Sequence, residues 1–138
     1  QMVKNKGKYI KDENKGFNDL SMIHFEACPT SSVCTNAVKE YKRFDKKWSN
    51  HPIRRFVKEG IHFSISTDDP HVFQTDMAEE IDVCRNKLDM SWKEIGQCDI
   101  YGAQAAFIDD PKEKQELIDT ITRRVNLWVD KQEKITAQ

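Results

Sequence analysis

Residues 61–70 read Ile61-His62-Phe63-Ser64-Ile65-Ser66-Thr67-Asp68-Asp69-Pro70. The first half alternates apolar and polar side chains, which is the period of a β-strand with one buried face. Pro70 indicates where the strand ends, because it holds Asp69 in an extended conformation and opposes simple continuation into a helix. Just upstream, His51-Pro52 indicates the start of a helix and Gly60 indicates its end.

An earlier strand is predicted over Ile23–Cys28, where apolar residues alternate with more polar ones. Pro29 ends this strand, and Thr30–Ser32 has the composition of a turn or cap. A strand, a helix and a second strand with short connections are typical of a parallel unit. The sequence therefore predicts an α/β fold.

Most of the second half is predicted to be helical. One helix covers about residues 72–87. A second begins at Ser91, whose hydroxyl forms a capping box with Glu94, and its apolar positions extend to Phe107.

A third helix is predicted to begin at Asp110-Pro111, a cap residue followed by proline at the first helical position. Its apolar side chains recur at helical spacing, at Leu117, Ile121, Val125 and Trp128. The first twenty residues are predicted to form a charged helix or a loop. Residues 33–50 are predicted as a loop with some helix.

Composition narrows the class of protein. The chain has 138 residues, the length of about one domain. Its 22 basic and 23 acidic residues give a net charge of −1. Proteins that bind nucleic acid usually have a basic excess, so we predict no nucleic-acid partner. No apolar run approaches the roughly 20 residues of a transmembrane helix, so we also predict no membrane span.

Cysteines bear on the cellular compartment. The four cysteines are too scattered for a disulfide framework, and no Cys-x-x-Cys pair occurs; they are Cys28, Cys34, Cys84 and Cys98. Reduced thiols favour a cytoplasmic location, while secreted and lysosomal locations stay open.

The adjacent carboxyl groups of Asp68 and Asp69 are the strongest sign of chemistry. They follow a buried strand, and parallel α/β folds place their active sites at the carboxyl ends of strands. Neighbouring side chains on a strand point to opposite faces, so the backbone must turn if both are to reach one site. A divalent-metal role, an acid–base role and a simple capping role are all open on these facts.

Two segments carry a family resemblance. Ser66-Thr67-Asp68-Asp69-Pro70, followed by Phe73, resembles the last barrel-strand motif of the adenosine deaminase family. The stretch His24–Ser32 resembles the preceding strand of that family, with its Glu-x-Cys-Pro-x-Ser pattern. His51-Pro52-Ile53 resembles the start of the helix between them. The ordered matches run from about Ile23 to Phe107 and are closer to adenosine deaminase than to adenosine monophosphate deaminase.

The resemblance implies a (β/α)8 TIM barrel that holds Zn²⁺ and hydrolyses adenosine to inosine and ammonia. It makes Asp68 a zinc ligand. It makes Asp69 the catalytic and substrate-binding residue that hydrogen-bonds the purine ring near N7. Ser31, at the end of the earlier strand, is a further predicted substrate-binding residue. The exact purine substrate stays open among adenosine, deoxyadenosine, a methylated purine and the monophosphate.

Several family features have no counterpart in this sequence. The family takes three further zinc ligands from histidines, two of them in a His-x-His motif, and no such motif occurs here. The catalytic Glu of the family and its strand-six His are also without a match. We therefore expect residues 1–138 to be a single C-terminal segment of the barrel, its last two strands plus helices. Its expected partners are a purine nucleoside and the missing N-terminal part of the barrel, and the isolated chain is expected to be inactive.

Other functions fit less well. A non-catalytic barrel remnant or interaction module without metal is the main alternative. Magnesium-dependent phosphoryl transfer lacks a glycine-rich phosphate cradle. His24-Phe25-Glu26 spells the His-x-Glu of cytidine deaminases, but the required Pro-Cys-x-x-Cys is absent. His62 is interpreted as a packed or surface histidine.

Overall fold

The structure is a computed structural model that describes residues 23–38, 48 and 50–137. These residues form a mostly helical α/β arrangement around a two-stranded sheet. Its elements, in chain order, are β1 (Phe25–Ala27), α1 (Pro29–Cys34), α2 (Pro52–Glu59), β2 (Phe63–Ile65), α3 (Pro70–Phe73), α4 (Met77–Asn86), α5 (Trp92–Ala105) and α6 (Pro111–Thr136). Within these residues, no helix has the length and apolarity needed to cross a bilayer.

The two strands pair in parallel, which confirms the predicted parallel α/β unit. Phe25 lies opposite Phe63, and Ala27 lies opposite Ile65. The ladder continues past the strands, because the Ser66 N–H donates to the Ala27 carbonyl at 2.9 Å. Since the strands are parallel, their carboxyl ends lie at the same edge of the sheet.

One face of the sheet carries the hydrophobic core. The buried cluster comprises residues from both strands, from three helices and from the loop between α4 and α5, namely Ala27, Ile53, Phe63, Ile65, Cys84, Leu88, Met90, Ile95 and Cys98. The ring of Phe56 on α2 packs between Phe25 and Phe63, at centroid distances of 5.3 and 5.8 Å. The alternation that predicted the strands therefore reflects burial of one sheet face against helices.

The predicted helix ends are confirmed where local hydrogen bonds set them. His51 caps α2 through Nδ1, and Gly60 ends that helix with φ of 65°. Ser91 and Glu94 form the predicted capping box of α5. Asp110 caps α6, with Oδ1 accepting from the N–H groups of Lys112 and Glu113.

Three predicted features are wrong. The helix predicted over residues 72–87 is two helices, because Gln74 adopts a left-handed conformation and Asp76 caps a new helix. Thr30–Ser32 is helical rather than a turn, within α1. Phe107 does not pack with the apolar side of α5, because the helix ends at Ala105 and the Phe107 side chain is fully exposed. The prediction for residues 1–20 and much of that for residues 33–50 lie outside the described residues.

Helix α5 packs along α6, and the backbone of Gly96 lies close against side chains of α6. A Cβ at this position would lie 2.7 Å from Val125 Cγ1 and 3.0 Å from Val129 Cγ2. The Trp92 and Trp128 rings meet edge to face nearby, with centroids 5.4 Å apart. The absence of a side chain at residue 96 is what lets the two helices approach.

Gly96→Ala is expected to destabilise the protein by about 1–3 kcal/mol, since it overpacks the contact between α5 and α6. Gly102→Ala is the matched control in the same helix. A Cβ there would lie 3.4 Å from Ser64 Cβ. That is ordinary contact, so we expect a gain of about 0.5–1 kcal/mol from the better helix former. Urea unfolding measures both, and equal effects of the two substitutions would contradict the close-approach interpretation.

Candidate functional site

Asp68 and Asp69 lie at the carboxyl edge of the sheet, three and four residues after β2. Asp68 has φ of 60°, a left-handed conformation that turns the chain. Asp69 is extended, with φ of −110° and ψ of 98°, ahead of Pro70. These angles confirm the predicted turn and the predicted effect of the proline. Both aspartates are exposed.

Asp69 caps the four-residue helix α3. Its Oδ1 accepts hydrogen bonds from the N–H groups of His71 and Val72, both at 3.1 Å. Pro70 is the first residue of this separate helix, and the strand does not continue directly into it because Asp69 is extended. The capping role that the sequence left open is present. The other carboxyl oxygen, Oδ2, accepts no hydrogen bond from the described residues.

Asp68 is held by a residue from the neighbouring strand connection. The Ser31 hydroxyl donates to Asp68 Oδ2 at 2.7 Å, across 37 residues of sequence. Ser31 is buried, and it lies in α1 rather than at the end of β1. The Asp68 N–H donates to Ser66 Oγ at 3.4 Å. The structure thus brings Ser31 and Asp68 together, while direct contact between Ser31 and a substrate stays a prediction.

The electrostatic surroundings of the two aspartates contain no neutralising cation within the described part of the chain. That part holds three ion pairs, and neither aspartate takes part in them. Cys28 lies near Asp68, and burial raises the pKa of its thiol, with Asp68 and Glu80 raising it further.

The histidines near the sheet have other partners. His24 Nε2 and Ser64 Oγ are 2.9 Å apart, and burial lowers the pKa of the His24 ring. The His62 ring stacks on Tyr101 with centroids 3.9 Å apart, which confirms that His62 is packed. Across residues 23–38, 48 and 50–137, no three His, Cys, Asp or Glu side chains are grouped closely enough to hold a metal.

A cleft of about 890 Å³ lies beside the sheet face that carries His24, Glu26 and Ser64. His62, the end of α5 from Tyr101 onward, the loop after α5 and Lys114 of α6 form the rest of its wall. The predicted site residues Ser31, Asp68 and Asp69 are not part of that wall. They occupy the carboxyl edge of the sheet, where the loops after β1 and β2 meet.

One buried polar residue near the site, Glu80, was not among the residues predicted from the sequence. Glu80 of α4 has 0% of its surface exposed, and its carboxyl group contacts α1, the helix that carries Ser31. The sequence did contain a sign that Glu80 is buried, because Glu80 and Cys84 are four residues apart and therefore lie on the same face of the helix. A carboxyl group on a buried helix face requires hydrogen-bonding partners.

Comparison of the sequence with known proteins identifies the family of this chain. The sequence profile described as "Adenosine deaminase" matches residues 11–124, which is most of the chain. The chain belongs to the adenosine deaminase family. The family resemblance drawn from the aspartate motif is thereby confirmed. No solved structure matches the chain significantly.

Individual relatives share about three residues in ten with the chain. Adenosine deaminase of Gallus gallus is 29% identical over 118 residues, 83% of this chain and 31% of the relative. Aminodeoxyfutalosine deaminase of Streptomyces coelicolor is 32% identical over 107 residues, 78% of this chain and 26% of the relative. Adenosine deaminase of Bos taurus is 30% identical over 99 residues, 72% of this chain and 25% of the relative. The chain thus spans about a third or less of the length of these relatives.

Proposed function

We propose that this chain is the part of a zinc-dependent purine nucleoside deaminase that supplies one zinc ligand and one carboxyl contact to the substrate. In the proposed reaction, adenosine and water give inosine and ammonia. The observation that carries the proposal is the 2.7 Å hydrogen bond from Ser31 to Asp68 at the sheet edge. Carboxylates that ligate metals are characteristically held by such outer hydrogen bonds.

Asp68 is suited to supply one of the ligands of a zinc ion. Its carboxyl oxygens belong to the donor types that zinc accepts, and Oδ1 takes no hydrogen bond from the described residues. A catalytic zinc site needs about three protein ligands, which this part of the chain does not group together. We propose that the others come from a (β/α)8 barrel in which β1 and β2 are the last two strands.

The two aspartates have different proposed roles. Zinc, when bound, supplies a hydroxide nucleophile near neutral pH by lowering the pKa of water. Asp68 would hold the ion through its carboxyl group, whose orientation is fixed by the hydrogen bond from Ser31. Asp69 uses Oδ1 for the cap of α3, which leaves Oδ2 for the purine ring. Purine N7 is an acceptor, so this contact requires a proton on Oδ2, which the Asp69 carboxyl group would donate to N7 as negative charge develops on the ring.

The relatives differ in the substrates that their names give, adenosine in two and aminodeoxyfutalosine in one. We propose adenosine for this protein because the Asp68–Pro70 motif resembles adenosine deaminase itself. The direct test is ammonia release by the full-length protein from a panel of 6-aminopurine nucleosides, with zinc content measured on the same sample. Stoichiometric zinc and turnover of adenosine are expected. A folded full-length protein without zinc or turnover would instead support the non-catalytic alternative.

The 138-residue chain alone is expected to release no ammonia from adenosine when zinc is added. The physical reason is that Asp68 by itself leaves a tetrahedral site without most of its ligands. A coupled ammonia assay measures this, with the full-length protein as the positive control and zinc alone as the blank. Turnover by the purified chain above that blank would show that the inventory of site residues is wrong.

A further inference from the structure

Glu80 is a fully buried carboxyl residue that accepts from two hydrogen-bond donors and forms no ion pair with the described residues. Its Oε2 accepts from the Thr30 N–H at 3.1 Å, and its Oε1 accepts from Thr75 Oγ1 at 2.8 Å. None of the ion pairs found in the described part of the chain includes it. Burying such a group is costly, so its position is set by what it binds.

Helix α1 lacks a cap of its own, and Glu80 supplies one from 50 residues away. Cys28 occupies the N-cap position without a capping hydrogen bond, and the first turn contains no acidic residue. Pro29 has no N–H, so the Thr30 N–H is the first donor that needs an acceptor. That donor binds Glu80. The start of α1 is therefore attached to α4 rather than to its own local sequence.

The residue after Thr30 is Ser31, whose hydroxyl binds Asp68. A continuous series of contacts thus runs from Glu80, through the first turn of α1, to the carboxyl group at the sheet edge. We propose that Glu80 is a positioning residue that sets the orientation of α1 and thereby the Ser31 hydroxyl that orients Asp68. This inference rests on the proposed zinc-binding role of Asp68.

The neighbouring titratable side chains do not replace this contact. His51 is buried beside the start of α1, and burial lowers the pKa of its ring, with Pro29 and Glu80 acting in the opposite direction. Its Nδ1 accepts from the Ile53 N–H at 3.3 Å, and its buried Nε2 has no hydrogen-bond partner in the described part of the chain. Glu80 is thus the side chain found to accept from the Thr30 N–H.

The test uses the full-length protein with Glu80→Ala, Glu80→Gln and, as matched control, Glu79→Ala. Glu79 is next to Glu80 in the same helix and forms the α4 capping box with Asp76, and no hydrogen bond joins its side chain to α1 among the described residues. The measurements are the zinc dissociation constant by chelator competition, and amide hydrogen exchange of residues 28–34. Exchange in that segment reports the orientation of α1 without any dependence on turnover.

Glu80→Ala is expected to weaken zinc binding about tenfold, the low end of the 10–100-fold effect of outer partners of metal ligands, and to speed exchange in α1. Glu80→Gln is expected to remain close to wild type. Its carbonyl accepts from Thr30, and its amide donates to Thr75, whose own hydroxyl can turn to the Asp76 carbonyl. Glu79→Ala is expected to leave zinc affinity and α1 exchange unchanged. If Glu80→Ala does not fold, Glu80→Asp, one methylene short of Thr30, is expected to show the same changes to a smaller extent.

Unchanged zinc affinity in Glu80→Ala, with stoichiometric zinc in the wild type, would overturn the inference. Equal weakening by Glu80→Gln or by Glu79→Ala would overturn it as well, because neither substitution removes the contact to α1. Failure of the proposed function has a different signature, which is a wild-type protein without zinc or an Asp68→Asn variant that keeps its zinc.

Discussion

Asp68→Asn is expected to empty the zinc site of the full-length protein while leaving its fold intact. The substitution replaces an anionic oxygen ligand by a neutral amide. Asparagine tolerates the left-handed backbone of residue 68, where φ is 60°. Its amide oxygen can still accept from Ser31. Zinc affinity should therefore fall more than about 100-fold, beyond the range of outer partners.

Zinc content after dialysis and urea unfolding together test this expectation. Asp89→Asn is the matched control, because Asp89 is also exposed and has a nearly identical φ of 58°. Among the described residues, its side chain pairs with Arg54 at 3.9 Å. Asp68→Ala would remove zinc too, but would add backbone strain of about 1–2 kcal/mol. Stoichiometric zinc in Asp68→Asn would mean that Asp68 is not a ligand.

Asp69→Asn is expected to keep its zinc and to lose activity by about 10²–10³-fold, the effect of removing one charge-stabilising group from a transition state. Asparagine caps helices as well as aspartate does, so α3 should remain capped by the same side-chain position. What is lost is the carboxyl group that shares a proton with the purine ring. Steady-state ammonia release and zinc content measure the two quantities separately.

The chain offers a close control for this second substitution. Asp110 also precedes a proline and also caps a helix, with Oδ1 bonded to two N–H groups. Asp110→Asn should leave turnover unchanged. Asp69→Ala is less informative, because it also removes a cap worth about 1 kcal/mol. Full activity in Asp69→Asn would show that no proton has to be shared from residue 69, since an asparagine amide can donate a hydrogen bond to N7 but cannot transfer a proton to it.

Sequence reasoning succeeded where the deciding interactions are local. The capping box of Ser91 and Glu94 joins residues three apart, and the Asp110 cap reaches two and three residues along the chain. Gly60 ends α2 because its left-handed φ suits glycine. The residues that form each of these interactions are only a few positions apart, so a short stretch of sequence is enough to predict them.

The errors have equally specific causes. The predicted helix over residues 72–87 left out a local signal for the break between α3 and α4, because Asp76 and Glu79 have the spacing of a capping box. Helix α1 was missed for a different reason. Its cap, Glu80, is 50 residues distant from Thr30, and no local window shows that contact.

By itself, the sequence determined the parallel strand–helix–strand unit, the principal helix starts and the family. The strands follow from the alternation of apolar and polar residues, the helix starts from capping residues, and the family from motifs in a fixed order. The tertiary structure alone decided that Ser31 reaches Asp68 and that Glu80 is buried against α1. Those contacts join residues 37 and 50 apart, so they exist only once the parallel strands and α4 have packed together. Hydrogen bonds of this range depend on the path of the backbone through space, which residue types and their spacing do not encode locally.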